Sequence, residues 1–280
     1  MQTILRAILR QKCSEIGHLC REYSAKSLEF EPATHRHRFR DALIRDEGIG
    51  VIAEVKRSSP SAGIIRRDLD PRELAESYVS GGASAISVLT DRVFFGGSGA
   101  DLELVRKSVN VPVLRKDFII DELQVLESRR MGADAILLIL AVIAQDKAKK
   151  LMYVADCLDM DCLVEVHTVE EFHRAIDLGA QLIGINNRDL STFKTDLSAT
   201  MRVLEAVEIP KGVLVVSESG ISSRSQVEML AGAGVDAVLV GEALVKSDQP
   251  ESLLAEMRSV RAVRRCRLSD PAVALRCSAR

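Results

Sequence analysis

Eight short runs of apolar, β-prone residues recur from Gly50 onward: Val51–Val55, Ala85–Thr90, Val111–Leu114, Ala135–Leu140, Cys162–Val166, Leu182–Asn186, Val213–Val216 and Ala237–Val240. Segments with helical periodicity separate them, Pro71–Val79, Asp121–Met131 and Ser223–Ala233 among others. The runs are near-continuous Val, Ile and Leu without strict alternation, which suits strands covered on both faces, as in a parallel sheet. The phrases GGA, MGAD, LGAQ and AGAGVD stand where a helix gives way to the next strand, and their glycines can take the left-handed cap. Five or six such units would make an open, doubly wound sheet, whereas eight close on themselves. The pattern predicts an α/β protein, a (β/α)8 TIM barrel with an additional N-terminal helical segment.

The chain of 280 residues has the length of one such barrel. A single domain is expected over 1–263, with 1–48 as a helical extension and 49–263 as the barrel, and 264–280 as a flexible basic tail. Within the extension, 2–25 reads as one helix and 30–46 as a second short segment, both expected to cover one mouth. Aromatic residues are 4% with no Trp, so the core must be aliphatic and surfaces for stacking nucleic-acid bases are few. A formal net charge of -2 gives no general attraction to nucleic acid or anionic membranes. No apolar run reaches transmembrane length, and the opening MQTILRAILRQK is amphipathic without a signal-peptide core. Cys13, Cys20, Cys157, Cys162, Cys266 and Cys277 form no CxxC pair or zinc-like spacing, and His35 and His37 suggest no metal site. These features imply a cytoplasmic protein with reduced thiols, no metal, and neither a nucleic acid nor a membrane as partner.

In a barrel the chemistry belongs at the C-terminal ends of the strands. There this sequence places Glu54 and Lys56, Lys116, Glu165 with His167, Asn186 with Arg188, and Glu218 with Ser219. Period-two geometry sends Glu54 and Lys56 to the same face. A ring of structural ion pairs would explain any one of these residues. Charges ending five apolar strands point instead to acid–base chemistry, because buried carboxylates and ammoniums must pair and acquire shifted pKa values. His167 alone reads as a hydrogen-bonded structural histidine. A second constellation lies after the last two strands. Ser219-Gly220 follows the seventh, and Gly241-Glu242 follows the eighth and opens a short helix, Glu242–Lys246, the usual place for a phosphate in this architecture.

These residues carry a family pattern. IAEVKRSSPSAG (Ile52–Gly63), FFGGS (Phe94–Ser98), VLRKDFIID (Val113–Asp121), LVEVHT (Leu163–Thr168), IGINNRDL (Ile183–Leu190), SESGI (Ser217–Ile221) and LVGEALV (Leu239–Val245) together resemble, in order, the signatures of indole-3-glycerol phosphate synthases. The resemblance runs from about Phe39 to about Val260. It implies a cofactor-independent carboxy-lyase of tryptophan biosynthesis acting on a small phosphorylated substrate, 1-(2-carboxyphenylamino)-1-deoxyribulose 5-phosphate. It also implies either a monomer or a chain associated with other enzymes of that pathway.

By motif position, Lys116 resembles the family's general acid and Glu165 its general base, with Glu54 and Asn186 positioning hydroxyls and Lys56 engaging an anionic group. Glu218 and Ser219 are implied in the site. Ser59 at the loop after the first strand, Phe95 and Phe118 as walls for the aryl ring, and Arg188 as an anion ligand complete the substrate contacts. Ser219, Gly220, Gly241 and Glu242 are implied at the phosphate. Glu242 departs from members that carry Ser there, and 264–280 has no counterpart in the pattern. A phosphoribosylanthranilate isomerase would use Cys or Asp with Asp, and a barrel that only binds ligands would need none of these residues.

Overall fold

The computed structural model describes residues 3–23, 38–44, 48–190, 192 and 194–262. Eight strands form its centre: β1 Gly50–Val55, β2 Ala85–Leu89, β3 Val113–Lys116, β4 Ala135–Ile139, β5 Asp161–Val166, β6 Leu182–Asn186, β7 Leu214–Glu218 and β8 Ala237–Val240. Each pairs in parallel with its neighbours in sequence, and β8 pairs with β1, so the barrel closes without an edge. Period-two alternation separates two apolar layers. Ile52, Ala85, Leu114, Leu137, Leu163, Leu182, Val216 and Leu239 fill the interior, while Val51, Ile86, Val113, Ile136, Val164, Ile183, Val215 and Val238 face the surrounding helices.

Six strands begin and end within a residue of the apolar runs, and two are displaced. β3 begins at Val113, two residues after the run at Val111, because Pro112 has no N–H to give a ladder; its carbonyl accepts from Ile86 N at 3.0 Å. It then continues through Arg115 and Lys116. β7 likewise starts at Leu214 and runs on through Ser217 to Glu218. Both strands outlast their apolar pattern because they deliver charge into the mouth.

The connecting helices have local causes. α3 (Pro71–Ser80) starts with Pro at its first turn behind Asp70, whose carboxylate accepts from Arg72 N and Glu73 N. The helix Glu122–Arg130 opens with a capping box between Asp121 and Gln124. The helix Val169–Asp177 is capped by Thr168, which accepts from Glu171 N. The glycines at the predicted helix ends, Gly82, Gly132, Gly179 and Gly234, take φ between 79° and 90°.

The N-terminal segments divide between the two mouths, whereas the sequence led to both on one. α1 (Thr3–Tyr23) lies at the C-terminal mouth, where Leu5 and Ile8 join the interior cluster and Lys12 reaches Asp91 and Asp117, just past β2 and β3. α2 (Arg38–Leu43) closes the opposite mouth: Arg40 N donates to Asp161 at the start of β5, and Leu43 touches Gly50 at the start of β1. The tail at 264–280, His35, His37, Cys266 and Cys277 lie outside the described residues. Among the described residues no helix is long and apolar enough to cross a membrane.

Candidate active site

The inward-facing rows of β1, β3, β5 and β7 end in Glu54 and Lys56, Lys116, Glu165, and Glu218. Lys116 Nζ stands between two carboxylates, 3.1 Å from Glu218 Oε2 and 3.4 Å from Glu165 Oε2. Lys56 Nζ lies 2.5 Å from Glu54 Oε1. Glu54, Glu165 and Glu218 are all buried. Space for this cluster comes from Gly184 in β6, where a methyl group would overlap Glu218 Oε1. On the same strand Asn186 hydrogen-bonds Glu165, and its Oδ1 accepts from Arg188 N at 2.9 Å.

Electrostatics separates the two carboxylates that share Lys116. Burial pushes Glu218 up to about 7; Lys116 opposes this, but the charges of Glu165 and Glu54 add to it. Burial acts the same way on Glu165, yet Lys116, His167 and the Asn186 hydrogen bond outweigh it and hold Glu165 below the ordinary carboxylate value. Burial tends to neutralise Lys116, but Glu218, Glu165 and Glu54 keep it cationic well above the usual lysine range. His167 lies behind Glu165, with Nε2 3.4 Å from Glu165 Oε1 and Nδ1 3.3 Å from Glu171 Oε2.

Above the cluster opens a cavity of about 410 Å³, a volume suited to a small molecule. One flank is polar. The turn after β7 places two successive residues in the left-handed region, Ser219 at φ 70° and Gly220 at φ 80°. A side chain at Gly220 would strike Thr195. Gly241 caps the start of the short helix Glu242–Lys246, and a methyl group there would overlap the Glu54 carboxylate. Glu242 is held below the ordinary carboxylate value by its hydrogen bond to Lys246, then by the charges of Lys246, Lys56 and Arg188. Lys56, Arg188 and Lys246 line the same cavity as the glycine turns, and Lys246 was not singled out in the sequence. Ser59 Oγ accepts from Ala62 N in a two-residue hairpin ladder, Ser58–Ser59 against Gly63–Ile64, and Arg188 Nη1 donates to Ser61 at 2.6 Å across the opening.

The other flank is apolar. Phe95, on the short helix α4 (Arg92–Phe95), and Phe118 lie with ring centroids 6.3 Å apart, and Leu5 and Ile8 of α1 extend the same wall. Every proposed catalytic and substrate-contacting residue except Glu218 lines this one cavity, and Glu218 lies beneath it, on Lys116. Leu5, Ile8 and Lys12 escaped sequence reasoning because an amphipathic helix outside the βα rhythm does not show which end of the barrel it meets.

Comparison with known proteins identifies the family. The family model described as indole-3-glycerol phosphate synthase matches residues 5–257. Proteins named indole-3-glycerol phosphate synthase are similar over most of the chain. The one from Carboxydothermus hydrogenoformans is 41% identical over 88% of this chain and 95% of its own. That from Burkholderia multivorans is 44% identical over 92% and 99%, and that from Mycolicibacterium smegmatis 49% identical over 77% and 79%. Among solved structures, a thiamine phosphate pyrophosphorylase from Pyrococcus furiosus superposes with a TM-score of 0.56 at 16% identity, covering 76% of this chain and 95% of that one, a likeness of fold alone. With its matched residues spanning all eight strands, the chain belongs to the indole-3-glycerol phosphate synthase family.

Proposed function

We propose that the chain converts 1-(2-carboxyphenylamino)-1-deoxy-D-ribulose 5-phosphate to indole-3-glycerol phosphate, closing the pyrrole ring with loss of CO2 and water. The observation that carries this reading is the placement of Lys116, an ammonium between two carboxylates of opposite pKa tendency, in a cavity with one cationic and one aromatic flank. The substrate has matching halves. Its phosphate meets Ser219 and the backbone of Gly220, Gly241 and Glu242, with Arg188 alongside, while its aryl ring lies against Phe95 and Phe118. Lys56, paired with Glu54 and near Glu242, serves the anionic groups between those ends.

So held, the ring carbon bearing the carboxylate faces the ketone carbon of the ribulose chain. Lys116 gives a proton to the ketone oxygen as the carbon–carbon bond forms, which prevents a free alkoxide from developing among the buried carboxylates. The carboxylate leaves as CO2 and its bonding electrons return to the cationic ring, so no external electron sink is needed. Glu165 then takes a proton from the neighbouring carbon while the new hydroxyl departs as water. Glu218, partly protonated near neutrality, is the neighbour able to return a proton to Lys116 or supply the departing hydroxyl. Glu54 and Asn186 orient the sugar hydroxyls, and Ser59 closes the mouth above them. Every residue this reading uses belongs to the one chain, and the reading places the reaction in the cytoplasm.

The test is direct, because product formation gives an indole fluorescence signal. Lys116→Met should lower turnover by at least about 10²–10⁴-fold while inorganic phosphate still binds. Silence from the wild type defeats the function, and equal rates for the two proteins remove Lys116 from the mechanism.

A further inference from the structure

Lys12 of α1 is among the largest fully buried side chains of the protein, and it is charged. A lysine ammonium has three hydrogens, and here three carboxylates surround it: Glu15 Oε2 at 2.9 Å, Asp91 Oδ2 at 2.9 Å and Asp117 Oδ1 at 2.8 Å. Glu15 belongs to the same helix, whereas the other two come from the barrel. Each of those two also holds an aromatic residue of the cavity. Asp91 caps α4, its Oδ1 accepting from Phe94 N at 2.7 Å, and α4 carries Phe95. Asp117 Oδ1 accepts from Phe118 N at 2.8 Å. Asp117 is itself fixed from behind by Thr90 Oγ1 at 2.6 Å and by Arg115 Nη2 at 3.2 Å. One and two turns before Lys12, Ile8 and Leu5 line the cavity beside those rings.

We propose that Lys12 is a positioning residue for the aryl half of the substrate site, a single ammonium that locks α1, the Phe95 helix and the Phe118 turn into one wall. The inference rests on the function proposed above and adds to it a residue that touches no substrate atom. Three apolar surfaces from separate segments must hold a flat ring within a fraction of an ångström, and apolar contacts alone do not fix their relative placement. Buried ion pairs from one ammonium to both barrel carboxylates do. A neutral side chain of the same length at position 12 would leave Asp91 buried without a cation and release α1 from the mouth.

The two halves of the site can be probed separately, with anthranilate as an inhibitor of the aryl half and inorganic phosphate as an inhibitor of the other. Lys12→Met should raise KM by about tenfold or more, the scale of losing several methylene contacts in an apolar pocket. It should weaken anthranilate inhibition in parallel, leave phosphate inhibition unchanged, and alter kcat far less than KM, because the lost contacts serve ground state and transition state alike. Lys12→Arg, which keeps the charge, should recover most of the KM. An unchanged KM overturns the proposal, as does an equal loss of phosphate inhibition, which would mean general damage. Should Lys12→Met fail to fold, Leu5→Ala/Ile8→Ala keeps the ionic hub and must give the same split between anthranilate and phosphate. A double variant with wild-type anthranilate inhibition also overturns it. Failure of the function itself reads differently: the wild type would then form no indole product at all.

Discussion

Glu165 and Glu218 are the same side chain in two electrostatic situations, and that difference assigns their work. Both are buried and both touch Lys116, yet Glu165 also receives His167 and Asn186, while Glu218 faces the charges of Glu165 and Glu54. Glu165 is therefore an anion ready to accept a proton, and Glu218 an acid that holds its proton until about pH 7. The sign of the pH dependence follows. A required acid is lost as pH rises, so kcat/KM should fall above about pH 7, while the acid limb set by Glu165 lies below the ordinary carboxylate value. Glu218→Gln should lower the rate and abolish the alkaline limb. A limb near 7 that survives in this variant would assign it to another group. Lys116 and Glu165 were legible in the sequence because a charge that ends an apolar strand has no bland explanation when four other strands do the same. The opposite tendencies of the two glutamates were not, since they depend on which carboxylate lies nearer which cation across strands 49 and 102 residues apart in the chain from Lys116.

At the level of elements, the turn after β7 shows how a strand end becomes a binding surface. Ser219 and Gly220 both take positive φ, which rotates the backbone toward the cavity instead of along the strand. Left-handed backbone costs an ordinary residue about 1–2 kcal/mol, and at Gly220 a side chain would also strike Thr195. Gly220→Ala should thus destabilise the fold by about that amount, and by moving the turn it should cost one backbone hydrogen bond to inorganic phosphate, about 1.5 kcal/mol or about tenfold in the inhibition constant. Competition assays with phosphate check it, and an unaltered inhibition constant would take Gly220 out of the cradle. The sequence exposed the turn as a glycine after a strand, and it exposed the helix-ending glycines in the same way. Its errors fell on β3 and β7, where apolar patterning stops while the ladder continues through Arg115-Lys116 and Ser217-Glu218. Hydrophobic periodicity marks burial against apolar neighbours, so it goes silent where a strand enters a polar site.

For the whole molecule, the barrel has two mouths with different obligations, and the N-terminal segment serves both. α1 covers the mouth where the strands end and supplies part of the cavity wall, whereas α2 plugs the mouth where they begin. No pattern in residues 1–48 announced that division, because an amphipathic helix states only that it covers something. The chemistry of the two ends makes the division testable. Phe39 of α2 is fully buried in the interior cluster, far along the barrel from Lys116. Removing such a ring usually costs about 3–5 kcal/mol through lost burial and the cavity left behind. The N-terminal mouth of a barrel carries stability and the C-terminal mouth carries catalysis. Phe39→Ala should therefore shift the urea midpoint strongly downward and leave KM, kcat and the pH profile unchanged at a temperature where the protein remains folded. Lys12→Met, made on the other helix of the same segment, should do the reverse in kind: KM and anthranilate inhibition move, whatever happens to the midpoint. If Phe39→Ala altered KM in the folded protein, the two mouths would be coupled through the barrel interior, and the aliphatic layers from Ile52 to Leu239 would be part of the site instead of its floor.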